Sequence, residues 1–132
     1  MHHYCKGLFY LHKGKYATTS SKQENTSYSE AIFQFDYCQA RWSSNYILAP
    51  ELHVKKGEAM LGLGKHTQAL DEFRSAIRIK PNYSAPYIAL SKYYLGIGNK
   101  EQAEIWLQEG IKNVPKSKKL KRNLMKLEKA TN

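Results

Sequence analysis

The strongest constraint on this chain is a repeat. Leu61-Gly62-Leu63-Gly64-Lys65 returns as Leu95-Gly96-Ile97-Gly98-Asn99, with Gly64 and Gly98 separated by 34 residues. Ala69 returns as Ala103, Ala76 as Gly110 and Lys80-Pro81 as Val114-Pro115 at the same spacing. A period of this length marks one supersecondary unit that cannot bury its apolar face alone, so successive copies must stack. The chain is expected to be all-α, a solenoid of antiparallel helical hairpins with about seven helices. Solenoids present extended surfaces to partners, which makes a groove the first functional feature to seek.

The clearest unit covers residues 50–83. Its first helix, over 51–63, is closed by Gly62 and Gly64, residues able to take the left-handed conformation at a helix end. Its second, over 67–80, starts at Thr67 as N-cap and stops before Pro81. Ala69, Leu70, Phe73, Ala76 and Ile77 form a helical stripe. Residues 84–117 follow the same plan. Residues 1–46 form a degenerate first unit, in which Gly7, Tyr10, Gly14 and Tyr16 match the first helix and Ala31, Phe35 and Cys38 the second. The polar stretch 17–27 between them reads as a loop inserted in the hairpin turn. Trp42-Ser43-Ser44-Asn45-Tyr46 replaces the usual proline exit. Residues 118–132 carry Leu120, Leu124 and Leu127 on one face behind a Ser117 N-cap, as expected of a helix capping an open solenoid end.

These residues resemble the tetratricopeptide repeat family, whose pattern runs W-x2-L-G-x2-Y, A-x3-F, P. Gly57, Met60, Gly64, Ala69, Phe73, Ala76 and Pro81 fall on the patterned positions of the middle unit. Ser91, Tyr94, Gly98, Ala103, Leu107, Gly110 and Pro115 do so in the third. His53 and Tyr87 stand where the family often has Trp, and Lys56 where it has Leu; these positions vary. The small residues permit close helix approach. The resemblance implies a right-handed superhelix whose first helices line a concave, peptide-binding face. Carried over to this chain, that face holds Tyr4, Leu8, Leu11 and His12, then Glu51, Val54, Lys55, Glu58 and Leu61. It continues with Ala85, Ile88, Ala89, Lys92 and Leu95, and the capping helix adds Lys119, Arg122 and Lys126. About half of these are expected to be true groove residues, since Leu61 and Leu95 also suit packing between helices. Family members that clamp the carboxylates of chaperone tails use Lys, Asn and Arg at positions held here by Tyr4, Leu8, Lys55, Ala85 and Ala89. Only Lys55 fits in type, which argues against such a clamp.

No constellation for catalysis stands out. Both cysteines, Cys5 and Cys38, fall on helix-packing positions, and there is no C-x-x-C. His2, His3, Cys5 and His12 have ligand chemistry but no zinc spacing. His53 and His66 are isolated and suit packing or solvated positions. Gly62-x-Gly64 lacks the strand and Lys-Ser/Thr of a phosphate loop. No cofactor or metal is called for. The apolar runs are too short to span a bilayer, and Lys13 and Lys15 interrupt any signal-peptide core, so a cytoplasmic protein is expected.

The net charge of +10 is uneven, with six Lys/Arg against one Asp/Glu in residues 118–132. The leading expectation is a non-catalytic adaptor, scaffold or assembly factor that holds a peptide with apolar anchors and acidic flanks in its groove. The alternative is nucleic-acid binding through Lys118, Lys119, Lys121, Arg122, Lys126 and Lys129, with tyrosines for stacking. A third is homo-oligomerisation through the N-terminal end, where Phe9 and Tyr10 have no preceding helix to cover them.

Overall fold

The computed structural model describes residues 2–17, 21–43 and 45–131. Within them lie seven helices, α1 His2–Lys15, α2 Ser21–Gln39, α3 Ala49–Gly62, α4 His66–Ile79, α5 Ser84–Gly96, α6 Lys100–Asn113 and α7 Lys118–Thr131. Consecutive helices pair as hairpins α1–α2, α3–α4 and α5–α6, and α7 packs on α6. The odd-numbered helices also approach each other in succession as backbones, and the even-numbered ones do not. The odd row is therefore the inner, concave side of an α-solenoid.

The repeat has a physical basis in the contact between each hairpin's two helices. A Cβ on Gly57 would sit 2.6 Å from Cε1 of Phe73, so the ring is seated on bare backbone. Gly7 lies under Phe35 in the same way. Ser91 and the smaller Leu107 occupy the matching positions of the third hairpin. Phe35, Phe73 and Leu107 anchor three apolar clusters that run along the stack, and the last also holds Leu120 and Leu127 of α7. The last helix starts at Lys118, with the Leu120 amide donating to Ser117 Oγ at 3.3 Å.

Helix ends depart from the sequence expectation in two places. Only Gly64 and Gly98 take positive φ, at 75° and 81°, whereas Gly62 is helical and lies beneath Tyr28. The Lys65 amide donates to Met60 O and the Gly64 amide to Leu61 O, and Asn99 and Gly98 repeat the arrangement on Tyr94 and Leu95. This double bond pattern satisfies the orphan carbonyls of the last turn. Gly98→Ala is expected to cost about 1 kcal/mol through backbone strain alone, because no atom lies within 4 Å of the added methyl. Urea unfolding measures it, and a loss above about 2 kcal/mol would reveal a contact instead. Thr67, in turn, is not the N-cap of α4. The helix begins at His66 behind Lys65, which provides no side-chain cap.

The predicted loop 17–27 is mostly helix. α2 starts at Ser21, leaving a connection only as far as residue 20, of which 18–20 lie outside the described residues. Its first turns hold because they pack: Ser27 is buried, and Tyr28 covers both Gly14 of α1 and Gly62 of α3. Polarity hid this from the sequence, since one aromatic residue, not a stripe, makes the contact. In the exit that follows α2, Ser44 lies outside the described residues, while Trp42 packs against the first cluster. Its ring centroid is 5.5 Å from Tyr4 and 4.5 Å from Tyr46.

Candidate functional site

The concave row gathers side chains from α3, α5 and α7 around a cavity of about 240 Å³. Its walls are Val54, Lys55 and Glu58 from α3, Ala85, Ile88, Ala89 and Lys92 from α5, and Lys119 from α7. The i, i+3/i+4 spacing on each helix sends these residues to one face, and Ala85 and Ala89 keep the floor low. Lys15, at the end of α1, places Nζ 2.6 Å from Glu58 Oε2 and so ties the first hairpin to the second across this face. Lys55 approaches the same carboxylate at 3.9 Å.

The expected groove residues separate into three groups. Lys55, Glu58, Ala85, Ala89 and Lys92 line the cavity, together with Lys119 of the capping helix. Tyr4, Leu11 and Val54 are core residues; Val54 is 2% exposed and only its edge reaches the cavity. The concave face is where the odd helices touch, so its larger apolar side chains are consumed by packing. Ile88 is likewise buried along most of its length. Leu8 is half-buried against the first cluster, and His12 is exposed and stacks on Tyr16. Leu61 packs into the middle cluster. Leu95 and Lys126 open onto a different cavity between α5, α6 and α7, while Arg122 is exposed on α7 and lines neither.

Tyr83 was not anticipated in this site. It precedes α5 and lines the groove, its phenol pushed up by burial and by the carboxylates of Glu51 and Glu58. Burial, with Glu51 alongside, also holds the Tyr4 phenol well above its ordinary value. Both tyrosines are therefore neutral groups at physiological pH. The signal missed was positional, because Tyr83 falls in a linker that the repeat treats as a boundary.

A polar cluster lies between α2, α3 and α4. His53 Nδ1 donates to Glu72 Oε2 at 2.6 Å, and Lys56 Nζ lies 2.6 Å from Asp36 Oδ1 and 3.3 Å from Glu72 Oε1. Lys56 also donates to Gln39 Oε1 at 2.8 Å. His53 and Lys56 are thus structural partners of the preceding and following helices, not free variation at surface positions. The first hairpin repeats the pairing, with His3 Nδ1 against Gln34 Oε1 at 2.6 Å. The third substitutes Tyr87 and Trp106, ring centroids 6.4 Å apart.

Burial pushes the Cys38 thiol up, away from the reactive thiolate. No group of three or more His, Cys, Asp and Glu residues suited to holding a metal occurs among the described residues. No described helix is long and apolar enough to cross a membrane.

The hairpin stack and its concave row define an α-solenoid repeat protein. Residues 60–125, half of the chain, match the tetratricopeptide repeat family, and the chain belongs to that family. It is 29% identical over 93 residues to a protein STIP1 homolog of Dictyostelium discoideum, covering 70% of this chain and 16% of that relative. The chain therefore spans a small part of the curated relative it matches. The Sgt2 TPR domain from Aspergillus fumigatus superposes with a TM-score of 0.63 at 19% identity, over 95% of this chain and 78% of that one. The first TPR of Spaghetti (RPAP3), bound to the HSP90 peptide SRMEEVD, gives 0.60 at 18% identity over 97% of each chain. At these identities the two solved structures speak for the fold.

Proposed function

We propose that this chain is a non-catalytic adaptor of the cytoplasm that holds a peptide segment of a partner protein in the α3–α5–α7 groove. The observation that carries this reading is the convergence of Lys55, Lys92 and Lys119 around the low floor of Ala85 and Ala89. A floor of small side chains admits a backbone, and lysines at the edges favour acidic flanks on the ligand. A relative that binds an acidic HSP90 peptide supports the same mode. The positions of a carboxylate clamp, held here by Tyr4, Leu8, Ala85 and Ala89, lack the cationic and amide side chains that grip a chaperone tail. The expected ligand is thus a different acidic segment.

Ala89→Glu tests the groove. Position 89 is half-buried at the cavity floor, so a longer acidic side chain fills the channel without entering the core. Charges at Val54 or Ile88 would instead unfold the chain, since both are buried. Selecting binders from a random peptide library and measuring them by fluorescence anisotropy should show affinity falling at least about tenfold in Ala89→Glu, at an unchanged melting temperature. Equal affinity in both proteins would remove the groove assignment.

A second reading rests on α7, where Lys118, Lys119, Lys121, Arg122, Lys126 and Lys129 are exposed and make no ion pair among the described residues. Nucleic-acid affinity through such a helix would fall steeply with salt. Failure to retain single-stranded RNA at low salt would exclude it.

A further inference from the structure

The cavity between α5, α6 and α7 holds about 250 Å³. Leu107 and Leu127 form its buried floor, and Leu95 stands 45% exposed on its wall. Lys92, Lys100 and Lys126 also line it, beside Ser91, Asn123 and Ala130, and the lining contains no Asp or Glu. None of the three lysines makes an ion pair with a described residue. Like charges gathered around an apolar surface repel each other and gain nothing from the floor. A ligand bringing carboxylates and one apolar group would satisfy both features together.

We propose that this cavity is an anchor socket for one apolar side chain of the partner peptide, with Asp or Glu on both sides of that side chain. The inference rests on the groove reading, because Lys92 lines both cavities and joins them. An extended segment leaving the groove past Lys92 enters the socket directly. Size supports a side chain over a cofactor, since the volume falls below the roughly 300–1,000 Å³ usual for small-molecule sites. Carboxylates are needed on both sides of the anchor because the lysines come from three helices. The lining contains no aromatic ring, so it offers bases nothing to stack on, which favours a peptide over nucleic acid.

The test uses the whole chain, labelled at leucine and valine methyls and backbone amides, titrated with the end-blocked peptide Gly-Glu-Glu-Leu-Glu-Glu-Gly and followed by NMR. Blocked ends ensure that only side-chain carboxylates are presented. Saturable shifts are expected at the methyls of Leu95, Leu107 and Leu127, and the same peptide with Ser for Leu should give none. Lys100→Glu with Lys126→Glu, both at exposed positions, should weaken binding about tenfold without moving the melting temperature. Absence of leucine shifts up to about 5 mM peptide would overturn the socket. Shifts confined to Val54, Ala85 and Ala89 would overturn it while leaving the groove reading intact. An oligouridylate that moves the three leucine methyls while the peptide does not would overturn it in favour of nucleic acid. If Ala89→Glu abolishes no partner binding yet the peptide still fills the socket, the groove reading fails and the socket stands.

Discussion

Phe73→Ala is expected to lower the free energy of unfolding by about 3–5 kcal/mol, a large part of the margin of an ordinary domain. The ring is fully buried and lies directly against the bare backbone of Gly57. Removing it leaves a void that α3 cannot fill, because the residue facing it has no side chain. Urea denaturation at pH 7 provides the measurement. A loss below about 1.5 kcal/mol would mean that α3 and α4 close the gap. The third hairpin supplies a complementary pair, since Ser91 and Leu107 occupy the positions of Gly57 and Phe73. Gly57→Ser alone should be strongly destabilising through overpacking against the ring, by about 2 kcal/mol. Combined with Phe73→Leu it should recover much of that loss, since the smaller side chain makes room. The non-additivity is the diagnostic, because independent sites would simply sum.

The second large effect concerns Lys56, only 9% exposed between α2 and α4. Burial pushes its ammonium down, but Asp36 and Glu72 outweigh this and hold it above the ordinary lysine range. Burial pushes Glu72 up, but the hydrogen bond from His53 and the charge of Lys56 hold it below the usual carboxylate range. Lys56→Leu should cost about 2–3 kcal/mol, because the half-buried Glu72 is left with one partner gone. Lys56→Leu with Glu72→Leu should be much milder, since Asp36 is over half exposed and can return to water. A cost for the double variant equal to the sum of the two single costs would show that the pair is not coupled. The pH response has a definite sign. A carboxylate lowered in the folded state contributes stability above its unfolded value and loses it as pH falls through the folded one. The wild type should therefore weaken with acid below the ordinary carboxylate range more steeply than Glu72→Gln. Lys56 acts at the other extreme, its contribution fading only as pH rises through its elevated folded value.

The recurring pairs show how much of this could be read without coordinates. That Gly57 marks a close helix approach was legible from its place in the repeat, whereas the seating of the Phe73 ring on it was decided by the closed hairpin. His53 with Glu72, and His3 with Gln34, were not legible. Each member looks like an ordinary polar residue until the hairpin closes, and the correspondence of Gln34 to Glu72 is displaced by the longer first turn. Tyr28 escaped for a related reason, since a single ring in a polar segment gives no period.

The groove divided along the same line. Helical spacing placed Lys55, Glu58, Ala89 and Lys92 on one face, and that much is local geometry. Whether an apolar residue on that face is floor or core depends on how closely neighbouring helices pack, so Tyr4, Leu11 and Val54 were decided only in three dimensions. The socket of Leu95, Lys100 and Lys126 exists only because α7 folds back against α5 and α6. By itself, then, the sequence determined the repeat, the hairpins and the capping helix, since each follows from periodicity within a few turns. The tertiary structure alone decided which side chains remain free to meet a partner, because exposure is set by neighbours distant in the chain.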